Sequence, residues 1–571
     1  PPAYLIAPKL EYRGDTFEAT LRGSYSSSEF NFRDNSKGFF QRTDSYLTRI
    51  GFTLDRASED SNAWTLNQTA GRPWGDPRSF NRDDDIGNNI RTAESNAVNE
   101  LYGANLDLKK KFELGDVPVT LMAGGLLRTN DWRTDEGSFD QFQYVGPTGD
   151  LTQRAPEAVI PWTQYYKFQI HGFDAGNMNA QNWRADNNYA MYDIYREHPE
   201  YFVPDTLGNL KRDLDNNKRV KEDIYAGYVE VQARAGRASF DLGLRYEKTK
   251  TGARIANVRT LDEVAAAGYA LNAAGTAAAT PEGLLYQYNG GTYSTRHGEY
   301  EDWFLSGGVK YDFTDKLVGQ ISFSDSILRP DYGNLGGVVS INDDTMIVSV
   351  PNPLLKPEHS TKYYARLQYF LEPSGIIAVS GFKLDIKDMQ ITGIEVNPED
   401  VGFDPNDYLG YTFRSAQNAP GTSTNNGLTL EYDQQLTFLP GALKGFGLRG
   451  SFTLVDPDGE RQNLPKRSAN WGLRYSRSGF DFQLTGNWQS SYRTSALGNT
   501  PTTASNGILY RAARELWNVS ASYKINKNFE VMLAGRNIFN APDIVYSNER
   551  SRVQQYSIYG SMWNVGIKGT F

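Results

Sequence analysis

Histidine and cysteine, the residues that most often build catalytic and metal centres, are scarce in this sequence of 571 residues. The chain contains no cysteine, which excludes disulfide bonds and thiolate metal sites. Its four histidines, His171, His198, His297 and His359, lie far apart, and none stands in an HExxH or comparable ligand spacing. We find no carboxylate pair or nucleophile in a recognisable catalytic setting. The sequence therefore predicts a protein that is not an enzyme and that has no catalytic residue, metal ligand or cofactor.

Two short polar segments resemble known binding motifs. The segment Arg82–Asn89 has the carboxylate and amide oxygens of Asp83, Asp85 and Asn88, which are ligands that Ca²⁺ prefers. It lacks the spacing of a calcium loop and its late glutamate, so a solvated loop is the favoured interpretation. Arg13–Asp15 spells an adhesion tripeptide, but it stands where a tight turn between two alternating segments requires Gly and Asp. We interpret it as that turn.

Aromatic residues in the longest polar segment, Asn130–Lys221, are the best candidates for ligand binding. Exposed aromatic rings can stack on sugar rings or on the aromatic groups of a metal chelate. The alternative is that these rings form the small core that a loop of this length needs. The candidate ligand-binding residues are Trp132, Trp162, Tyr165, Tyr166, Trp183 and Arg184.

The elements that must position these residues are strands. Ser557–Phe571 alternates with a period of two, so that one face is apolar and the other carries polar residues such as Asn564 and Lys568. In a soluble sheet, the apolar face would pack against a core. In a membrane barrel, the apolar face would contact lipid and the polar face would line a water-filled lumen. The same alternation recurs at Phe240–Tyr246, Phe480–Trp488 and Leu516–Ile525.

Short and long connections alternate between these strand-like segments. Outer-membrane barrels have short periplasmic turns and long extracellular loops, whereas a sandwich has no reason to sort its connections in this way. The predicted tight turns are Arg13–Asp15, Arg56–Ser61, Glu113–Val117, Gly236–Ala238, Asp312–Asp315, Glu372–Gly375, Leu439–Leu443, Ser476–Gly479 and Asn526–Asn528. The sequence thus predicts an all-β fold, a transmembrane antiparallel β-barrel. A capping box at Thr260–Glu263 adds a short helix within one extracellular loop.

Composition agrees with a barrel. The chain is rich in Tyr, Phe and Gly, and no run approaches the roughly 18 apolar residues of a membrane helix. The net charge of −9 argues against a nucleic-acid partner, which would require a basic face.

Several motifs follow one another in an order that resembles the barrel of TonB-dependent outer-membrane receptors. They include an Arg329–Pro330 step and an Asn-Pro-x-Leu-Lys-Pro-Glu element. The resemblance covers about the C-terminal three-fifths of the chain and is fainter before Lys221. The segments that carry it are Gly243–Thr249 (GLRYEKT), Tyr300–Gly337, Val350–Glu358 (VPNPLLKPE), Phe382–Met389 (FKLDIKDM), Leu533–Asp543 (LAGRNIFNAPD) and the strand that ends at Phe571.

The resemblance implies an active transporter in the outer membrane of a Gram-negative (diderm) bacterium. It would import a scarce nutrient, namely an oligosaccharide, a ferric siderophore or a corrinoid, and the aromatic loop slightly favours a carbohydrate. The implied partners are outer-membrane lipid and lipopolysaccharide, the ligand, a surface lipoprotein, and the TonB complex through a plug domain that this sequence does not contain. Trp563 and Phe571 would form the assembly signal of the last strand.

Two other functions fit the sequence less well. A passive, porin-like or structural barrel would need no plug. A secreted β-rich carbohydrate-binding protein would be released from membranes by high salt, without detergent.

Counting back from Phe571 gives nineteen strands, including strands near 46–55 and 62–71, against about 22 in the family. The first strand, 3–12, and the last then run the same way, and an antiparallel barrel of even strand number cannot close between such strands. We therefore expect an odd number of strands and a plug before Pro1, and no ladder between 3–12 and 557–571. The sequence thus predicts that residues 1–571 form the barrel domain and that 130–221 is its longest extracellular loop region.

Overall fold

The structure, a computed structural model, describes residues 3–43, 50–58, 61, 64–73, 90–138, 140–146, 188–273, 275, 277–336, 339–342, 347–401, 411–458, 462–496 and 508–570. Most of these residues lie in strands. The strands of the first half are β1 (Ala3–Ile6), β2 (Lys9–Arg13), β3 (Phe17–Arg33), β4 (Arg42–Thr43), β5 (Gly51–Arg56), β6 (Trp64–Ala70), β7 (Ile90–Arg91), β8 (Glu94–Leu114), β9 (Val117–Ser138), β10 (Gln141–Tyr144), β11 (Phe202–Pro204), β12 (Arg219–Ala235), β13 (Ala238–Ala256), β14 (Tyr293–Asp312), β15 (Leu317–Leu328) and β16 (Ser340–Asn342). Those of the second half are β17 (Ile347–Ser349), β18 (Glu358–Leu371), β19 (Gly375–Lys387), β20 (Gln390–Val396), β21 (Thr412–Asn418), β22 (Thr422–Gln435), β23 (Phe446–Pro457), β24 (Arg467–Arg477), β25 (Phe480–Gln489), β26 (Tyr492–Ala496), β27 (Ile508–Arg511), β28 (Arg514–Lys524), β29 (Phe529–Arg536), β30 (Asp543–Ser547), β31 (Val553–Ser557) and β32 (Met562–Gly569).

Helices are short and lie in the connections. They are α1 (Asn188–Glu197), α2 (Thr206–Asn216), α3 (Leu261–Ala266), α4 (Pro281–Gln287) and α5 (Tyr332–Leu335), with 3-10 turns at Asn35–Lys37, Pro199–Tyr201, Pro398–Val401 and Gly441–Gly445. The predicted capping box is confirmed, because the Thr260 side chain accepts the Glu263 N–H and the Glu263 side chain accepts the Thr260 N–H. Within the described segments, no helix has the length and apolar character needed to cross a membrane.

One antiparallel sheet of 18 strands organises the molecule. β1 and β2 both pair with β3, and from there each strand of the sheet pairs with the next one along the chain. The order is β3, β8, β9, β12, β13, β14, β15, β18, β19, β22, β23, β24, β25, β28, β29 and β32. The predicted fold, an all-β transmembrane barrel wall, is confirmed.

The lengths of the connections distinguish one end of the sheet from the other. On the short-turn side, β8 meets β9 across two residues, 115–116, and β12 meets β13 across 236–237. On the long-loop side, β9 reaches β12 through 139–218, and β13 reaches β14 through 257–292. Positive φ at Gly115 (63°) and Gly236 (57°) explains the glycines of these turns, since few other residues adopt that conformation. The predicted alternation of short turns and long loops is present.

The register places apolar side chains of neighbouring strands on one face. Val565 is 77% exposed, and its partner on β29 is Leu533. Ile567 lies opposite Val531, Tyr523 opposite Phe480 and Val519 opposite Leu484. Asn518, Lys524, Asn564 and Lys568, at the intervening positions, therefore point to the other face. We call the first face the outer face and the second the inner face.

Aromatic pairs lie at both margins of the outer face. On the long-loop side of the apolar rows, where Lys248 and Lys250 follow on β13, the rings of Tyr246 and Trp303 are 4.9 Å apart. Near the short turns, the rings of Tyr311 and Phe313 are 5.0 Å apart. Such aromatic girdles border the apolar band of outer-membrane barrels.

The predicted barrel strands near 46–55 and 62–71 are wrong. β5 and β6 pair only with each other, as a separate hairpin in the described residues. They lie in the connection from β3 to β8, which pair directly from Phe17–Lys110 to Arg33–Glu94. The assignment of Arg56–Ser61 to the short-turn side fails for the same reason. Alternation identifies a strand but not the sheet that it joins.

The sheet has two edges, formed by β1 with β2 and by β32. β1 and β2 share one position beside β3, so seventeen positions alternate in direction and the two edges run the same way. Within the described residues, no ladder joins β32 to β1 or β2, as expected. The expectation of further strands and a plug before Pro1 stays a prediction.

Buried apolar side chains of the described chain cluster mainly in the long loops. One cluster joins the β3–β8 connection to the β9–β12 connection and contains Phe40, Ile90, Tyr144, Met191, Ile194 and Phe202. Another packs α3 and α4 against α2. The loops therefore form folded units on the rim of the sheet.

Candidate functional site

A group of charged side chains lines the inner face where β9, β12 and β13 approach the long loops. We call it the mouth cluster; its members are Arg128, Glu222, Arg245, Glu247 and Arg329. The first four occupy inner-face positions of their strands because alternation sends their apolar neighbours outward. Arg329 follows β15 and reaches back to this wall.

Ion pairs connect the five members. Arg245 Nε donates a hydrogen bond to Glu247 Oε1 over 2.7 Å, and Arg329 Nη2 donates to Glu247 Oε2. Arg329 Nε lies 3.8 Å from Glu222 Oε1, and Arg128 Nη2 lies 3.6 Å from Glu222 Oε2. Glu222 is thus a buried carboxylate held between two guanidinium groups, and removing either would leave a poorly compensated charge.

The exposed part of the cluster is cationic. The side chains of Arg128, Arg245 and Arg329 are 36%, 32% and 25% exposed, whereas those of Glu222 and Glu247 are 4% and 13% exposed. Three guanidinium groups therefore face the lumen over one buried carboxylate, that of Glu222, and one less exposed than they are, that of Glu247. Guanidinium groups bind carboxylate and similar oxyanions through paired N–H donors.

The connection from β15 to β18 folds against the same wall. Tyr332 of α5 accepts a hydrogen bond from Asn130 Nδ2, and its ring lies 6.3 Å from that of Trp132. Leu335 is buried beside Val220 and Ala253. Burial raises the pKa of the Tyr332 hydroxyl, and the charge of nearby Glu222 raises it further. This connection therefore narrows the mouth from one side.

The VPNPLLKPE segment forms the return of that connection to β18. The Asn352 N–H donates to Asn334 O over 2.7 Å, and Asn352 Nδ2 donates to Ala416 O over 2.9 Å. The Val350 N–H donates to Arg414 O of β21, which forms a hairpin with β20. Asn352 thus joins both ends of its own loop to the following loop.

Two of the histidines that the structure describes form separate contacts. His359 Nε2 lies 2.6 Å from Asp302 Oδ1, and His198 Nδ1 lies 3.0 Å from Glu200 Oε1. No group of three or more His, Asp or Glu that could hold a metal ion occurs in the described ranges. His171, together with the calcium candidates Asp83, Asp85 and Asn88, lies outside them.

Only part of the predicted ligand site can be located. Trp132 lies partly buried at the base of the loop core with Tyr332, which favours the core interpretation for this residue. Trp162, Tyr165, Tyr166, Trp183 and Arg184 lie outside the described residues, so their binding role stays a prediction. Of the assembly-signal residues, Trp563 lies on the outer face of β32, and Phe571 lies outside the described residues.

The sequence analysis missed the mouth cluster. Arg329 and Glu247 both stand in the family-like motifs, and alternation places Arg245 and Glu247 on the inner face. Their pairing is invisible in the sequence because 82 positions separate Arg329 from Glu247.

A family model described as "TonB dependent receptor-like, beta-barrel" matches residues 7–538. No curated protein matches the sequence.

Solved structures of similar architecture include the ferric citrate transporter FecA, with 12% identity and a TM-score of 0.52 over 99% of this chain and 61% of FecA. The siderophore receptor PiuA from Acinetobacter baumannii has 11% identity and a TM-score of 0.52 over 99% of this chain and 64% of PiuA. The ferric-catecholate import receptor Fiu from K12 E. coli has 10% identity and a TM-score of 0.54 over 100% of this chain and 64% of Fiu. At these identities the likeness establishes the fold alone. The chain spans less than two thirds of the length of each.

Proposed function

The chain belongs to the TonB-dependent receptor β-barrel family, and from this premise we propose that it forms the barrel of an active transporter in the outer membrane of a Gram-negative bacterium. The family match over residues 7–538 carries the proposal. The alternation of short turns with long folded loops supports it, since such barrels receive ligands on the extracellular side. The protein acts as a transporter and not as an enzyme.

Among the three cargo classes expected from the sequence, the mouth cluster favours a chelate with anionic groups. Its guanidinium groups face the lumen and are more exposed than its carboxylates, so an anion gains charge-assisted hydrogen bonds there. The structurally similar FecA and Fiu are named for ferric citrate and ferric catecholate, which agrees with this choice. A ferric siderophore therefore replaces the carbohydrate as the preferred cargo, and an oligosaccharide or a corrinoid becomes an outcome of the test.

Energy coupling in such a transporter requires a part that closes the lumen and a partner that opens it. We assign the occlusion of the lumen to a plug domain and the opening of the path to the TonB complex, with a surface lipoprotein as a further partner. A passive porin, the second candidate, would need neither.

Growth experiments separate these alternatives. A strain that carries the gene, a deletion strain and a TonB-deficient strain receive ferric citrate, a ferric catecholate, a corrinoid or an oligosaccharide as the limiting nutrient. We expect growth on one ferric chelate that requires both the gene and TonB. Growth that requires the gene but not TonB would establish a passive pore, and growth on an oligosaccharide alone would overturn the cargo assignment.

A further inference from the structure

The connection from β15 to β18, residues 329–357, lies directly on the inner wall of the barrel. A Cβ placed on Gly298 of β14 would clash with Pro353 O of the connection. A Cβ placed on Gly336 would lie 3.1 Å from Ala253 Cβ of β13, where Leu335 is also buried. Glycine at both positions permits this close approach. The connection therefore covers the wall from β12 to β14 and occupies part of the mouth.

Arg329, the first residue of the connection, is held by two carboxylates that each have a second partner. Its Nη2 donates to Glu247 Oε2, and its Nε lies 3.8 Å from Glu222 Oε1. Arg245 Nε lies 2.7 Å from Glu247 Oε1, and Arg128 Nη2 lies 3.6 Å from Glu222 Oε2. If Arg329 moved away, each carboxylate would keep one guanidinium group. Its departure therefore costs less than the loss of the sole partner of a buried charge.

The Arg329 end of the connection also lies over polar atoms that are incompletely satisfied. Within the part of the chain that the structure describes, Arg329 Nε, Asn130 Oδ1 and Asp302 Oδ2 are buried and have no hydrogen-bond partner. Asp302 is the register partner of Glu247, and Asn130 donates to Tyr332 through its other amide atom. Buried polar atoms without partners raise the free energy of the arrangement that contains them. The position of Arg329 on the wall is therefore less favourable than a fully hydrogen-bonded one.

An oxyanion that binds Arg329 would compete with Glu247 for the same nitrogen. A guanidinium group has two paired N–H edges, and Nη2 belongs to both of them. Nη2 is the atom of Arg329 that donates to Glu247. The Arg329 side chain is 25% exposed, so an anion in the lumen can reach it.

We propose that an anionic cargo opens the mouth by taking Arg329 from Glu247, so that the β15–β18 connection lifts from the wall. Before the cargo binds, the ion pairs of Arg329 keep the connection on β12, β13 and β14 and the mouth narrow. A neutral solute offers no competing charge and leaves the connection in place. The mouth thus widens only for a cargo that carries oxyanion groups. This inference rests on the proposed anionic cargo and adds the response of the protein to it.

A single cysteine under the connection reports its movement, because the chain has no cysteine of its own. Ala253→Cys adds one sulfur atom at a position of β13 that is 0% exposed and lies in the cluster of Leu335. The full receptor is purified in mild detergent, and mass spectrometry measures the rate at which a bulky maleimide labels the introduced thiol. The probe is citrate, with and without Fe³⁺, at constant ionic strength, and maltotriose is the uncharged control.

We expect citrate to raise the labelling rate by a factor on the order of ten and maltotriose to leave it unchanged. The rate follows the population in which the connection is lifted, and a hydrogen bond to a charged group shifts such a population by at least that factor. Arg329→Gln, added to Ala253→Cys, should raise the rate without citrate and remove the response to citrate. If Ala253→Cys does not assemble, Val220→Cys in the same cluster replaces it.

Two matched variants serve as controls. Arg449→Gln, added to Ala253→Cys, removes an inner-face arginine of β23, six strands from β13, and should leave the response to citrate unchanged. Ala256→Cys places the thiol on the same strand but under the β13–β14 connection, where Ala256 is 4% exposed beside Val264 and Tyr288. Citrate should not raise its labelling rate.

Two results would overturn the proposal. A labelling rate of Ala253→Cys that citrate leaves unchanged would show that Arg329 does not exchange between Glu247 and an oxyanion. A rate in the Arg329→Gln variant equal to that of its parent would show that the apolar contacts of Leu335 hold the connection alone. The growth experiment tests the cargo separately, so growth on an oligosaccharide alone would refute the cargo assignment while the labelling still measures the response to an oxyanion.

Discussion

At the scale of single residues, Arg329 is the link between the β15–β18 connection and the barrel wall. It contacts two carboxylates, Glu247 and Glu222, that lie on different strands. Arg128 and Arg245 each contact one of these carboxylates and belong to the wall itself. Arg329 is therefore the member of the mouth cluster through which the loop is fixed electrostatically.

Arg329→Ala should loosen this connection. Removing one partner of a buried ion pair costs about 3–5 kcal/mol when the remaining charge has no other partner. We expect a smaller cost here, because Glu222 keeps Arg128 and Glu247 keeps Arg245. We expect faster proteolytic cleavage within residues 336–350, measured by mass spectrometry of the fragments. Arg477→Ala, on the exposed short-turn side, serves as control. Cleavage at the wild-type rate would show that the apolar contacts of Leu335 hold the loop without Arg329.

Asp34 gives the β3–β8 connection a pH dependence. Its carboxylate accepts the N–H groups of Ala93 and Gln41 at 2.8 and 2.9 Å, and burial raises its pKa. A raised folded-state pKa contributes stability below the ordinary value of about 4, and that stability is lost as the pH rises through the folded-state pKa. The protection factors of the Gln41 and Ala93 amides, which remove the intrinsic slowing of exchange in acid, should therefore be larger at the acid end of this window. Asp34→Asn should flatten the dependence of these protection factors on pH, and larger protection at higher pH in the wild type would contradict the assignment.

At the scale of elements, each membrane strand has one face for lipid and one for the lumen. β32 shows this most simply, since Val565 and Ile567 continue the apolar rows of β29 while Asn564 and Lys568 lie on the opposite face. The alternation has the same physical basis in every strand of the sheet, because successive Cβ atoms point to opposite sides.

Val565→Arg should impair assembly far more than Asn564→Arg. A charge on the lipid face near mid-bilayer costs roughly 2–4 kcal/mol, whereas a charge in the lumen stays hydrated. The fraction of heat-resistant, folded barrel in outer membranes measures the effect, with the neighbouring position as the matched control. Equal loss in both variants would refute the assignment of faces.

At the scale of the whole molecule, the sheet is the scaffold and the loops hold most of the buried core. β9 and β12 pair over fifteen positions, from Val119–Ala233 to Arg133–Arg219, so the scaffold does not depend on the connection between them. Binding residues are commonly found on such loops because a rigid scaffold holds their ends.

Deleting residues 147–187 from the β9–β12 connection should abolish ligand uptake and leave a heat-resistant barrel. This segment contains Trp162, Tyr165, Tyr166, Trp183 and Arg184 but none of the residues of the mouth cluster. Uptake of the cargo found in the growth experiment and heat resistance of the barrel are measured on the same membranes. Normal uptake would show that these residues form only a loop core.

The sequence by itself determined the class of fold, the sides of the strands and the alternation of turns and loops. These are local properties: a period of two sends side chains to opposite faces, and Gly115 and Gly236 mark turns that need positive φ. The sequence determined the pairing of strands less well, since β5 and β6 alternate like barrel strands and yet form a hairpin of their own.

Only the tertiary structure decided which charged residues meet. Arg329 reaches Glu247 because β13, β14 and β15 lie side by side and the following connection turns back over them. Each strand determines only which face a residue occupies, whereas the register between strands determines its neighbours on that face.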